Sequence, residues 1–430
     1  MILTVINTFF NLVKQKLKFI TLFILIIVVT STLAHSSFSQ GQTKITVMLQ
    51  ALEAQQWQSL VRKFEQENPD IELEVISAPN ATNLVEDLYT SAFLLGDSPY
   101  DVVYLDIVWV QKFAAAKWLK PLNEFVTDEQ MKTFLRGDIE GGKYKNQLYR
   151  MPFRSDAGML YYRSDLLEQN GYNPPNTFAE LINISKDLQN KNVARWGYVW
   201  QGRQYEGLSA MFTEILEGFG AYWINADTLE VGLDSPQAIE GVKFLLNTIE
   251  KGISPAGVTT YAEEETRRLF QGGDTVFLRN WPYVAGLASQ SDIRGKFALK
   301  PMMHQPNYQS GACQGGWGFG ISASSRHPQE AWRFIEFMTR EDSQRQFILE
   351  TGYVPSLRSL FNDPQIVAKY DYYPDLLAVV ENAVLRPPIP QYAQASDILQ
   401  RYLSAALTQT MTPENAMTQA ANETRRLLGR

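Results

Sequence analysis

The sequence predicts an α/β fold, and three observations carry that expectation. Short apolar runs of strand length recur at Ile45–Leu49 (ITVML), Ile71–Val75 and Asp101–Leu105 (DVVYL). Between them lie segments whose apolar residues repeat at helical spacing. Strand, helix, strand, helix, strand within roughly sixty residues is the pattern of a parallel sheet with crossover helices.

Taken in order, ITVML reads as a buried strand. The helix after it covers Glu53–Glu67, with Trp57, Leu60, Val61 and Phe64 on one face and Pro69 just past its end. Ile71, Leu73 and Val75 alternate as a strand, Leu84–Leu95 reads as a helix, and DVVYL as another buried strand. Gly137–Tyr149 (GDIEGGKYKNQLY) is a Gly-rich connection, read as a flexible turn, from which MPFRSDAGMLYYR crosses into a second region. A helix is expected over Thr177–Gln189 and helical patterns over Gly207–Glu250. Strand signals at Thr275–Leu278 and Phe297–Lys300 lead into RNWPY and GACQGGWGFGIS, read as Pro- and Gly-rich loops. Pro328 opens an amphipathic helix carrying Ala331, Trp332, Ile335 and Met338. In open α/β sheets ligands bind beyond the carboxyl ends of the strands. Glu53 follows the first strand and Asp106 the third, which puts both acids where a site belongs.

The composition narrows the function. The chain has 430 residues, 39 Lys+Arg and 46 Asp+Glu, a net charge of −7, which suits two or three domains and opposes nucleic-acid binding. One cysteine, Cys313, excludes a disulfide framework and a cysteine zinc site, and three histidines leave little for a metal centre, so no metal or cofactor is expected. Residues 1–39 carry Lys14, Lys16 and Lys18, then the apolar run Phe19–Val29, then small and polar residues. This is the form of an export signal, with an exit after Ala34 or Ser39. A retained anchor is the alternative, although the apolar run falls short of the ~20 residues that span a bilayer. No cysteine lies near the exit to carry a lipid. The working part is expected outside the cytoplasm, in the periplasm or at the cell surface.

Most catalytic motifs fail. Gly137 to Lys143 has phosphate-loop spacing, but Tyr144 stands where magnesium binding needs Ser or Thr. There is no G-x-S-x-G elbow and no H-E-x-x-H pair. Glu53, Asp106 and Asp156 could meet in one cleft, which leaves a secreted glycosidase using paired carboxylates open. The same acids suit a sugar receptor. A carboxylate accepts from two adjacent hydroxyls through charge-assisted bonds, and an aromatic ring covers a C–H face of the sugar. Trp281 and Tyr283 flank Pro282, and Gly315 and Gly316 precede Trp317.

Several longer segments carry a family resemblance: DVVYLDIVWVQKF, MPFRSDAGMLYYRSDLLEQNGY, GYVWQGRQYEGL, FLRNWPYVAGL, GGWGFGIS with AWRFIEFM, and VENAVLRPPIPQY. From about Lys44 onward the chain resembles the extracellular solute-binding proteins of ABC sugar importers, most closely the trehalose/maltose-binding branch. The resemblance implies a two-lobed periplasmic-binding-protein fold of type II. Each lobe would be a mostly parallel sheet flanked by helices, with hinge segments between them and the sugar in the cleft. The expected division is 42–152 with 302–340 for the first lobe and 153–301 with 341–430 for the second. The family's sugar-binding acids fall on Glu53, Asp106 and Asp156, its stacking rings on Trp281, Tyr283 and Trp317, its backbone contacts on Gly315 and Gly316, and an arginine on Arg386. The branch has an arginine in the helix before DVVYLD, which this chain lacks, and an aromatic where this chain has Arg154. Arg154 therefore joins the expected site. The implied ligand is an α-linked disaccharide or small glucoside of the trehalose, maltose, sucrose or glucosylglycerol type. The implied partner is a membrane permease, and the protein is expected to act as a monomer.

Overall fold

The computed structural model describes residues 42–96 and 98–430. The leader read in residues 1–39 lies outside them. Among the described residues no helix is long and apolar enough to cross a membrane.

The first strands follow the hydrophobic pattern closely. β1 (Thr43–Gln50) pairs in parallel with β2 (Ile71–Ala78) along its whole length, and with β3 (Val102–Asp106) at Val47↔Val102. The helix expected after β1 is two helices, Ala51–Gln56 and Gln58–Glu67, meeting at Trp57. Thr82–Leu94 crosses back to β3, burying Val85, Tyr89 and Phe93. After β4 (Leu119–Lys120), the Gly-rich connection is not a flexible turn. It folds as a short helix, Arg136–Gly141, and a hairpin of β5 (Lys143–Tyr144) and β6 (Gln147–Leu148). Lys145 and Asn146 both take positive φ in that hairpin, as a tight two-residue turn requires.

β7 (Met151–Ala157) closes this region, and β8 (Met159–Tyr162) opens the next. A Thr177/Glu180 capping box starts the helix Phe178–Asn190 where the sequence placed it. Then come β9 (Trp196–Val199), the buried helix Glu206–Gly218, β10 (Thr275–Asn280) and β11 (Ala298–Lys300). β12 (Gln314–Ser322) is a fully buried strand where a glycine-rich loop was expected, and β13 (Val354–Pro355) is short.

The strands form two main sheets, in the order β13-β7-β12-β3-β1-β2, with β4 on β12, and β11-β8-β10-β9. Both are mixed rather than mostly parallel. β12 is antiparallel to β3, β4 and β7, β13 to β7, and β8 to β10 and β11. The reason is connectivity: β7 leaves the first sheet at the cleft end and β12 re-enters at that same end, so they must oppose. The architecture is the two-lobed, type II periplasmic-binding-protein fold.

Packing divides the chain differently from the expected boundaries. β7 stays in the first sheet to Ala157, and 341–381 joins the first lobe's core through Phe347, Tyr353, Phe361 and Tyr373. Phe153 and Phe347 have ring centroids 4.8 Å apart, and Tyr373 donates to the Tyr353 carbonyl at 2.6 Å. From Ile389 onward the chain packs in the second core. The crossings lie side by side: Gly158 N donates to Cys313 O at 3.3 Å, Val384 N to Ala312 O and Gln314 N to Val384 O, both at 2.8 Å. Against this seam sits a fully buried ion pair, Glu214 with Arg279. Cys313 is buried there, and burial pushes its thiol up to about 12, so it stays protonated and inert.

A Cβ on Gly158 would overlap both the Glu214 carboxylate and the Arg279 guanidinium. Gly158→Ala is therefore expected to cost about 3 kcal/mol or more, by overpacking and by parting a buried ion pair. Chemical denaturation checks this, and an unchanged midpoint would contradict it.

Candidate functional site

Sheet register assembles one wall of the cleft. β12 is central: Trp317 lies opposite Asp106 of β3 on one side and Arg154 of β7 on the other, and Gly315 lies opposite Asp156. Residues from three distant stretches thus share adjoining positions on one sheet. Glu53 comes from the helix that leaves the end of β1, and its carboxylate is turned inward, 1% exposed. Gly316 has φ +130, a conformation that favours glycine, and a Cβ there would press on the Arg154 carbonyl.

Arg154 organises this wall. Its Nη2 donates to Glu53 at 2.6 Å, its Nη1 to Asp156, and its Nε to the Tyr104 hydroxyl at 3.2 Å. Tyr104 in turn donates to the second Glu53 oxygen at 2.6 Å. The guanidinium lies 4.5 Å from the Tyr353 ring centroid and 5.6 Å from that of Trp317. Burial opposes its charge, but Glu53, Tyr104 and Asp156 more than offset this and hold it firmly protonated. For Asp156 burial wins over the pull of Arg154 and lifts the carboxyl from 3.8 to about 6.

The second lobe supplies the facing wall. Trp281 and Tyr283 follow directly on β10. The Arg279 guanidinium lies 4.2 Å from the Trp281 ring centroid, and the indole N–H donates to Glu263 at 3.3 Å. Tyr283 donates its hydroxyl to Glu264 at 2.8 Å. Arg386 bridges the walls, donating to Glu206 at 2.5 Å and to Asp106 at 3.3 Å. Burial raises the Glu206 carboxyl, with Arg386, Ser396 and Tyr392 opposing the rise.

All ten residues singled out in the sequence (Glu53, Asp106, Arg154, Asp156, Trp281, Tyr283, Gly315, Gly316, Trp317 and Arg386) line one cavity of about 410 Å³ between the lobes. That size suits a small molecule. Trp281 holds a loop position as expected, whereas Tyr283 opens a short helix, Tyr283–Ala288, and Trp317 and its glycines sit in a strand. The cavity also takes in Tyr205, Glu206, Glu263 and Tyr353, which the sequence reading did not single out. For Tyr205 and Glu206 the signal was present, since both lie in the GYVWQGRQYEGL segment. Tyr353 had none beyond an aromatic after a glycine.

Three buried polar atoms on these residues, Asp156 Oδ1, the Tyr205 hydroxyl oxygen and Arg386 Nε, have no hydrogen-bond partner among the described residues. No group of three or more His, Cys, Asp or Glu able to hold a metal occurs among the described residues.

Known proteins resemble this chain in sequence and in fold. Residues 50–345 match the sequence profile of the bacterial extracellular solute-binding proteins. A probable ABC transporter-binding protein of Deinococcus radiodurans is 30% identical over 368 residues, covering 83% of this chain and 87% of its own. The maltotriose-binding protein of Pyrococcus abyssi is 27% identical over 355 residues, covering 82% of this chain and 74% of its own. The maltose-bound MalE3 of T. maritima superposes with a TM-score of 0.85 at 35% identity, covering 90% of this chain and 100% of that one. The GacH receptor of Streptomyces glaucescens shares the fold, with a TM-score of 0.82 at 19% identity.

The raised carboxyl of Asp156 carries a pH signature. A carboxyl whose folded pKa exceeds its unfolded value favours the folded state most below the unfolded value, and loses that contribution as pH rises through the folded one. The stability of Asp156→Asn relative to the wild type should therefore climb between 3.8 and about 6 and then level off. Urea denaturation across that range checks it, and a difference that falls or stays flat would contradict it.

Proposed function

Because the chain belongs to the bacterial extracellular solute-binding protein family, we propose that it captures a neutral α-linked disaccharide or small glucoside for an ABC importer. The protein is exported and binds sugar. Its family binds solutes and does not transform them, so the glycosidase reading of the same acids is not carried forward. The observation that carries the proposal is the cavity itself: seven carboxylates, four arginines and five aromatic rings converge on it from both lobes.

In this reading Arg154 and Arg386 hold their partner acids in fixed orientations, and each of those acids presents its remaining acceptor capacity to sugar hydroxyls. Trp281, Tyr283 and Trp317 offer flat apolar surfaces to ring C–H groups. Trehalose, maltose, sucrose and glucosylglycerol all fit that chemistry, and the maltose and maltotriose bound by the relatives favour the α-glucosides among them. The lobes close over the ligand by hinge motion at Gly158, Cys313 and Val384, and the closed form is handed to a membrane permease. The basic and apolar leader in residues 1–39 would direct export, to the periplasm or the cell surface.

A thermal-shift panel of maltose, trehalose, sucrose, glucosylglycerol, polyamines and amino acids tests the proposal, since a ligand of the native state raises the melting temperature. At least one glucoside should stabilise the protein and the non-sugars should not. Stabilisation by a polyamine or amino acid alone would overturn it. For the stabilising sugar, Trp281→Ala should weaken binding by roughly 10-fold or more, the scale of a lost aromatic anchor in a desolvated site. Calorimetry checks this, and wild-type affinity would remove Trp281 from the site.

A further inference from the structure

The helix Glu206–Gly218 begins inside the second lobe without a side-chain cap of its own: its N-cap residue, Tyr205, makes no capping bond. The first backbone N–H groups of a helix have no partner within it. Here the Glu206 N–H donates at 3.2 Å to the Asn83 side-chain carbonyl, which belongs to the other lobe. Asn83 sits in the first turn of Thr82–Leu94, a helix fixed in the first core by Val85, Tyr89 and Phe93. The helix it caps is fixed in the second core by Leu208, Met211, Phe212 and Ile215. The bond therefore exists only while the lobes are together, and it joins protein directly to protein without a ligand atom. Asn83 itself does not line the cavity, although Ala81 and Thr82 beside it do.

We infer that Asn83 is a positioning residue: a cross-lobe helix cap that favours the closed arrangement and so tightens ligand binding without touching the ligand. Opening returns the Glu206 N–H to water and forfeits the bond. The capped residue is the same Glu206 whose carboxylate accepts from Arg386, Tyr392 and Ser396, so the cap also fixes one end of the bridge from Arg386 to Asp106. A binding-competent state that is only partly populated lowers apparent affinity by that fraction. Removing the cap is thus felt as weaker binding.

The inference uses the hinge-closing sugar receptor proposed above, and its test separates the two. Small-angle scattering of ligand-free wild type and Asn83→Ala needs no knowledge of the sugar. The variant should show a larger radius of gyration than the wild type, and Leu84→Ala, an exposed neighbour on the same helix, should not. Maltose, or whichever glucoside stabilises the wild type, should bind Asn83→Ala about 3- to 10-fold more weakly, through faster dissociation, as one net hydrogen bond implies. A merely structural role predicts a fall in melting temperature. The positioning role adds a larger ligand-free radius of gyration and faster sugar dissociation, which a merely structural role does not. Identical ligand-free scattering, or an unchanged dissociation rate for the sugar, would overturn the inference. If no glucoside binds the wild type, the functional proposal fails and the scattering comparison still decides the role of Asn83.

Discussion

The cleft depends on one buried guanidinium. Arg154 is shared between Glu53 and Asp156, braced by the Tyr104 hydroxyl and flanked by the Tyr353 and Trp317 rings. Two carboxylates this deep could not both stay ionised side by side in a dry site without a cation between them. Parting a buried pair by removing one partner costs about 3–5 kcal/mol, so none of the three is free to vary alone. The strand register that sets Trp317 between Asp106 and Arg154 is what puts the cation in place.

The same device recurs on the other wall. Arg386 is held between Asp106 and Glu206 and joins the lobes, while Arg279 is locked by Glu214 beneath Trp281. These three arginines each hold acids or a ring in place, whereas Arg203 and Arg268, exposed on the same lining, make no ion pair among the described residues. The net effect is a set of pre-oriented carboxylate acceptors that outnumber the arginines, seven acids against four on the lining. Such a set favours neutral polyhydroxyl ligands, whose hydroxyls donate to carboxylates, and disfavours anions. Binding then needs little reorganisation of the protein beyond closure.

Much of this was legible in the sequence because it is local. Strand periods, helix faces and the Thr177 and Pro328 starts are encoded within a few residues, and the position of acids at strand ends follows from them. What failed was non-local. GGWGFG reads as a loop because glycine is a poor strand former, yet β12 is a strand since β3 and β7 pair with it on both sides. The packing of 341–381 in the first lobe depends on Phe347 and Tyr373 finding Phe153 and Tyr353, which periodicity does not record. Glu206 and Asn83 owe their roles to the meeting of two lobes. Arg154, noticed only as a departure from the family pattern, proves to be the centre of the first wall.

The most direct test of the account is a crystal structure of the protein grown with maltose. The account predicts a glucose ring packed on Trp281 or Trp317, with its hydroxyls donating to carboxylates of the lining and the Arg154 bonds to Glu53 and Asp156 intact. A sugar bound away from these rings, or an Arg154 that swings out to contact the sugar and releases both acids, would contradict it.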